Sequence, residues 1–286
     1  MPFFSSLSYG GMARARGIGG VRRKLQADFR LYTSWNGAEY TYGQTFDTTS
    51  EFWMEARGDS GAQALVSVRL WGDNGRAQGQ VVMTVGQRYT FLRENNDHDW
   101  SSLIAGGNYQ GNSTSSFGPQ IVMLAASRAQ SVCYTGGNAG FPQGAQGSGN
   151  GQSPGQQFGW GGNGGGGSGG QTTGYLSGSG GIGGAFYSGP GGTPDNGGFL
   201  QGGYGGRPWF QGSGSEGGLG YYGGGGGGGG WAPGRGSGCP GGGGGGSNYV
   251  GGLPSGSPQG FIQVLSQSSG TGGNQGRFFL DGIDPI

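Results

Sequence analysis

The sequence predicts an all-β chain: an antiparallel sandwich interrupted by a long insertion of extended glycine helices, with essentially no α-helix. Three observations carry this. Short runs of alternating apolar and polar residues, separated by turn residues, recur before residue 130. Glycine, 80 of 286 residues, is concentrated between 136 and 256. The alternating pattern then returns in Phe261-Ile262-Gln263-Val264-Leu265. No stretch of helical period exceeds about two turns.

The first segment, 1–24, is basic and glycine-rich. Arg14, Arg16, Arg22, Arg23 and Lys24 face no acidic residue, and Gly10, Gly11, Gly17, Gly19 and Gly20 loosen the backbone. Two readings stay open: a solvated tail, or an anchoring arm that orders by docking on a partner. A nucleic-acid surface would combine a wider basic field with aromatic platforms, so no nucleic-acid partner is expected.

Residues 25–130 are expected to form the sandwich. Alternation appears in Phe29-Arg30-Leu31-Tyr32, in 52–56, in 65–71, in 80–85, in Tyr89-Thr90-Phe91-Leu92 and in Ile121-Val122-Met123-Leu124. These runs are rich in β-branched and aromatic residues, which suit a pleated, half-buried surface. Asn36-Gly37, Asp59-Ser60-Gly61, Asp73-Asn74-Gly75 and Val85-Gly86-Gln87 supply turns between them. Strands this short and this closely spaced indicate an antiparallel sandwich and not a βαβ fold.

Residues 131–257 form the glycine-rich insertion, and 258–286 supply closing strands and a C-terminal tail. A lone strand is not stable, so 260–266 is expected to pair back into the sandwich, and 277–280 forms a further run. The insertion is then anchored at both ends. Glycine loses more conformational freedom on folding than any other residue, so an ordered tract needs a compensating interaction. Extended helices of three residues per turn have no internal hydrogen bonds. Their N–H and C=O groups must be satisfied by neighbours. Without Cβ atoms, several such helices can pack side by side and bond laterally. The run of glycines at 223–230 belongs in the middle of such a bundle. Collagen is excluded, because a strict Gly-X-Y period is absent.

The order of motifs resembles a known module. Residues 51–61 (Glu-Phe-Trp-Met-Glu-Ala-Arg-Gly-Asp-Ser-Gly) look like its opening strand, and 79–91 (Gly-Gln-Val-Val-Met-Thr-Val-Gly-Gln-Arg-Tyr-Thr-Phe) like its strand, Gly-Gln turn and strand. Residues 120–126 resemble the strand before its insertion. Residues 220–227 and 241–250 resemble its tract ends, and 260–264 its closing strand. The module is the extracellular glycine-rich domain of the anaplastic lymphoma and leukocyte tyrosine kinases and of many bacterial and phage surface proteins. The resemblance spans roughly 26–266. It implies a tumour-necrosis-factor-like, jelly-roll sandwich carrying an inserted polyglycine II bundle. Where the family has glycine pairs, this chain has Arg57-Gly58-Asp59-Ser60 and Ser127-Arg128-Ala129-Gln130. No kinase, membrane-spanning or growth-factor-like part accompanies the module, so receptor signalling is not implied.

Composition and motifs argue against most chemistry. Lys+Arg 15 against Asp+Glu 14 excludes a polyanion binder by net charge. No run approaches the ~18 apolar residues of a membrane helix, and the start lacks the pattern of a secretory leader. Cys133 and Cys239 are the only cysteines, too few for a disulfide framework or a zinc site, and either a bridge or free thiols fits them. His98 is the only histidine. Its neighbourhood, 94–100, is read as a solvated hairpin tip rather than a calcium loop, because the ligand spacing of such a loop is missing. Gly178-Ser179-Gly180-Gly181-Ile182-Gly183 spells a dinucleotide fingerprint without the strand and helix that motif needs. Arg57-Gly58-Asp59 is read as a strand-end turn. No catalytic residue, cofactor or metal is expected.

Trp160, Tyr204, Trp209, Phe210, Tyr221, Tyr222 and Trp231 punctuate the glycine region. They are candidates for a surface that meets a receptor or a polysaccharide. The competing reading has them seal the bundle or pack on another subunit. Together these features lead to the expectation of a phage virion protein: a tail-fibre, tail-tip or capsid-decorating component on the particle surface. Its arm would meet other virion proteins, and its subunits would form a closed homo-oligomer, for which a trimer is one option. The alternatives are a secreted bacterial surface or matrix protein, an ice-binding protein and a tail depolymerase. The ice-binding reading asks for a strict three-residue sequence repeat, and the depolymerase for paired carboxylates in a groove. The sequence offers neither.

Overall fold

The computed structural model describes residues 27–96, 99–106, 121–131, 135–140, 144–148, 195–198, 200–206, 215–221, 223–227, 241–250, 261–269 and 276–286. Among them there is no helix. The strands are β1 (Phe29–Thr33), β2 (Glu39–Tyr40), β3 (Phe46–Thr48), β4 (Phe52–Gly58), β5 (Gln63–Trp71) and β6 (Gly75–Thr84). They continue with β7 (Arg88–Asn96), β8 (Asp99–Gly106), β9 (Ile121–Ala125), β10 (Tyr249–Val250), β11 (Phe261–Ser269) and β12 (Arg277–Pro285).

All pairings between these strands are antiparallel, in two sheets. One has the order β10-β9-β8-β7-β4-β1-β2 and the other β11-β6-β5-β12-β3. Strand alternation builds the core directly. In β5 the residues Ala64, Val66, Val68 and Leu70 face inward, and in β4 Phe52, Met54 and Ala56 do so. With Leu31, Val81, Met83, Tyr89, Phe91, Phe278 and Leu280 they form one cluster between the sheets. The rings of Phe52 and Phe278 meet edge to face at 5.1 Å. The Tyr89 hydroxyl, buried in this core, donates to the Gln87 side-chain oxygen at 2.8 Å. Its burial pushes its pKa up.

The segments after the glycine return to the sandwich. β11 lies antiparallel on β6, with Gln263 opposite Gln80. β12 lies between β5 and β3. Four strands were not singled out in the sequence: β2, β3, β8 and β10. β2, β3 and β10 have two or three residues each. β8 reads Asp-Trp-Ser-Ser-Leu-Ile-Ala-Gly, whose polar start hides the alternation.

The turns follow the sequence in part. Gly86 takes φ +89 and lets the Gln87 N–H donate back to the Thr84 carbonyl at 3.0 Å. In Asp73-Asn74-Gly75, however, Asn74 takes the positive φ, 69°, and Gly75 opens β6. Glycine is needed at 75 for another reason: a Cβ there would collide with the Ala126 carbonyl.

β9 is buried at every position. Val122, Met123 and Ala125 join the sandwich core. Ile121 and Leu124, with Ala126, Leu92, Ala139, Leu200, Tyr221 and Tyr249, form a second cluster. That cluster joins the seven-stranded sheet to the glycine segments. A strand covered on both sides reads as a continuous apolar run, which is why 121–124 lacks polar residues.

Candidate functional site

The glycine segments form a laterally bonded bundle of extended chains. Its centre is 241–247, and its bonds repeat every third residue. The N–H groups of Ser215, Gly218 and Tyr221 donate to the carbonyls of Gly241, Gly244 and Ser247, at 3.2, 2.8 and 2.9 Å. Those of Gly137 and Gly140 donate to Gly243 and Gly246 at 2.8 and 3.1 Å. Gly242 and Gly245 donate to Ser148 and Ala145, at 2.9 Å each. The Gly244 N–H reaches Gly225 at 2.8 Å, and the Gly246 N–H reaches Ser127 at 3.1 Å. One central segment thus bonds five others. A sheet strand has two neighbours, whereas a helix of three residues per turn points its groups in several directions around its axis. The outer segments repeat the pattern: Gly203 and Gly206 donate to Gly224 and Gly227, and Gly223 and Gly226 donate to Gly198 and Asp195.

Glycine serves here through its missing side chain. None of the described glycines of the bundle takes a φ in the left-handed region. A Cβ built at Gly224 would strike the Gly244 carbonyl, and one at Gly217 the Gly224 carbonyl. At Gly246 it would strike the Leu219 carbonyl, and at Gly203 that of Asp195. Backbones this close leave no room for any other residue.

Side chains fasten the bundle to the sandwich. The Asn248 side-chain oxygen accepts from the Ala126 N–H at 2.8 Å in a buried setting. The Ser127 hydroxyl oxygen accepts from the Leu219 N–H, and the Ser127 N–H donates to the Leu219 carbonyl, both at 2.8 Å. Asp73, in the β5–β6 turn, accepts from Arg128 Nε at 2.9 Å, while its carbonyl accepts the Arg128 N–H at 2.7 Å. Burial raises the Asp73 pKa and the Arg128 charge opposes that rise, burial being the larger effect. The sequence marks Asp73 as a turn residue and Ser127-Arg128 as a departure from the family's glycine pairs, but nothing in it joins these residues to one another, to Leu219 or to Asn248. Polar residues beside glycine runs resemble ordinary turn residues, and their partners lie tens of residues away.

Of the two readings of the aromatics, Tyr221 takes the one in which the ring seals the bundle and not that of a receptor-facing surface. It is 1% exposed and stacks on Tyr249 with centroids 3.9 Å apart and planes 7° from parallel. The flanking Leu219 is buried too, so this stretch faces the sandwich. Tyr204 is 53% exposed. Trp160, Trp209, Phe210, Tyr222 and Trp231 lie outside the described residues, as do Arg14, Arg16, Arg22, Arg23, Lys24, Cys133, Cys239, His98 and 178–183.

Other sequence features resolve as structure. In Arg57-Gly58-Asp59, the Arg57 guanidinium lies 3.8 Å from the Tyr32 ring centroid and pairs with Glu39 and Glu55. Asp59 accepts from the Asp28 N–H at 2.8 Å. Both charged groups are occupied within the fold. β7 and β8 pair up to Asn96 opposite Asp99, and 97–98, within the stretch read as a hairpin tip, lie outside the described residues. The outer sheet faces carry further arginine–aromatic stacks. Arg88 lies over Trp53 at 4.3 Å, and Arg69 over Phe279 at 4.3 Å. Such stacks cover the rings while keeping the faces polar. Among the described residues no His, Cys, Asp and Glu group could hold a metal, and no helix is long and apolar enough to cross a membrane.

Compared with protein-family models, with curated proteins and with solved structures, the chain matches none.

Proposed function

We propose that this chain is a non-enzymatic structural or adhesive component of a phage virion, set at a tail fibre, a tail tip or the capsid surface. In this reading the glycine bundle is a rigid projecting surface for host attachment or assembly. The basic arm at 1–24 docks on other virion proteins. The sandwich and its insertion act as one module of the kind that the motif order resembles, a tumour-necrosis-factor-like sandwich with a polyglycine II bundle.

The observation that supports this best is the mechanical character of the bundle. Its central segment is bonded on five sides, and its base is sealed onto the seven-stranded sheet by Tyr221, Tyr249 and Leu200. A surface held this way loses little entropy when it meets a receptor, because its backbone is already ordered. Tyr204, exposed on that surface, is the kind of ring that anchors a protein or sugar contact.

Electron microscopy of purified phage particles labelled with an antibody to this chain tests the assignment. Labelled particles are expected at a fixed position, tail or capsid. A chain missing from the particles and recovered in the culture medium would overturn it in favour of a secreted matrix protein. Removing 1–24 should leave a folded protein that no longer joins particles, and assembly that persists would refute the docking role of the arm.

A further inference from the structure

The two outer faces of the sandwich set arginines among aromatic rings, and they balance the charge differently. On the seven-stranded sheet Arg30 pairs with Asp28 and Glu39, Arg57 with Glu39 and Glu55, and Arg88 with Glu55. On the five-stranded sheet Arg69 pairs with Asp281 at 3.0 Å, and Arg277 pairs with Asp47. Arg76, on the same face, meets no carboxylate among the described residues. Its guanidinium bonds the Gln78 side-chain oxygen at 3.2 Å. The other charges nearby leave it uncompensated. Arg128 and Asp73, at the adjoining turn, are joined to each other at 2.9 Å. Asp284 is exposed but lies opposite Leu65. That is six residues (65 to 71) along β5 from Trp71, about 20 Å, against a Debye length of ~8 Å at physiological salt.

Strand register sets what surrounds Arg76. It stands directly opposite Trp71 on β5, and Trp71 stands directly opposite Arg277 on β12. The next outward row is Gln78, Arg69 and Phe279, and Gln80 and Ser67 follow. Neighbours in a row are about 5 Å apart, and successive rows about 7 Å. The Trp71 ring leans on Phe279 with centroids 4.5 Å apart, and Arg69 lies over Phe279 at 4.3 Å, so the indole is held in place. The Gln80 amide is fixed as well, donating to the Ser67 hydroxyl oxygen at 3.2 Å. Trp71, Arg76, Gln78 and Gln80 are all half-buried, so each keeps part of its surface in solvent.

We infer that the outer face of the five-stranded sheet around Trp71 and Arg76 is a binding site for a carboxylate-bearing sugar, one unit of a uronic-acid polysaccharide. Arg76 takes the carboxylate, because the planar fork of a guanidinium matches two carboxylate oxygens. The half-exposed Trp71 indole is the flat apolar surface on which the C–H face of the sugar ring rests. Gln78 and Gln80, on the adjoining rows, offer amide donors and acceptors to its hydroxyls. Charge decides between an acidic sugar and a phosphate-rich partner. A nucleic acid asks for several free cations along its backbone, whereas here Arg69 and Arg277 are already neutralised and Arg76 alone is left over. One free guanidinium matches one negative charge per sugar. The site lies on the sandwich and not on the bundle, and it holds whether or not the chain belongs to a particle.

NMR titration of the full-length protein with oligogalacturonate at low salt tests this. Shifts should saturate at the Trp71 indole N–H and at the Arg76, Gln78 and Arg277 side chains, while Trp53, on the opposite face, stays still. This arm locates the site in the wild type, so it stands even where a variant fails to fold. The methyl ester of the same oligomer keeps the ring and loses the charge, and it should bind about tenfold or more weakly. Arg76→Gln should weaken binding of the acid by about tenfold to a hundredfold and leave that of the ester unchanged. Arg88→Gln, which removes a paired arginine from the other face, should change neither. Shifts centred elsewhere, equal affinity for acid and ester, or an Arg76→Gln protein that binds the acid like wild type overturns the inference. A DNA oligonucleotide that displaces the acid and binds more tightly overturns it as well and assigns the face to phosphate. None of these failures touches the virion assignment, which rests on where the chain sits in particles.

Discussion

Replacing Gly224 by Ala probes why this protein spends so much glycine. On general grounds the change should stabilise by about 0.4–1 kcal/mol, because alanine has less freedom to lose in the unfolded chain. The backbone φ at 224 is not one that strains alanine. The packing reverses the sign. The new Cβ meets the Gly244 carbonyl, so the 223–227 and 241–247 segments must separate. Gly244 accepts from Gly218 at 2.8 Å, and Gly224 donates to Gly218 at 2.9 Å and accepts from Gly203 at 2.8 Å. Distorting three such bonds costs about 1 kcal/mol each, and overpacking alone costs about 1–3 kcal/mol. The two figures describe the same distortion, so taking about 3 kcal/mol for it and subtracting the entropy gain leaves a net loss of about 2–3 kcal/mol. At tenfold per 1.4 kcal/mol this speeds local opening by roughly a hundredfold. Amide exchange at Gly203, Gly218 and Gly224 reads it directly. Gly282→Ala is the control, since a Cβ at 282 meets nothing within 4 Å. If Gly224→Ala exchanges no faster than Gly282→Ala, close backbone approach is not what holds the bundle.

Two further outcomes follow from the junction. Tyr221→Ala removes a fully buried stacked ring between bundle and sheet and should cost about 3–5 kcal/mol in denaturant unfolding; a loss below about 1 kcal/mol would refute its role as the seal. Asp73 has its carboxyl pKa raised above the unfolded value of 3.8, so the folded state binds its proton more tightly than the unfolded chain does. The stability of wild type relative to Asp73→Asn should therefore be greatest below 3.8 and fall as pH rises through the folded value. Urea unfolding of both proteins between acid and neutral pH measures this, and a difference that grows with pH would show that Arg128 outweighs burial.

Much of the sandwich is visible in the chain. Val66, Val68 and Leu70 alternate with Ser67 and Arg69, and period two fixes which face is buried. Phe261-Ile262-Gln263-Val264 announces a strand after the glycine by the same rule. The Tyr249–Val250 strand is hidden because two residues between Ser247-Asn248 and Gly251 carry no period. Tyr221 is open to both readings in the sequence, surface ring or seal, because a single aromatic among glycines has the same local sequence whether it points to solvent or to a sheet. Its burial depends on Leu124, Ala126 and Tyr249, which are distant in the chain.

The sequence by itself determined most of the longer strands, the place where glycine interrupts them, and the need for lateral bonding. Glycine without a period cannot satisfy its own backbone groups, so some neighbour must. Only the tertiary structure decided which neighbours those are. A run such as 241–246 has identical residues at every position, so nothing in it distinguishes the carbonyl that meets Gly218 from the one that meets Gly137. That assignment comes from the threefold turn of the extended helix and from the segments that the sandwich holds around it. The same physics explains why the bundle's three-residue period appears in its hydrogen bonds and not in its residues.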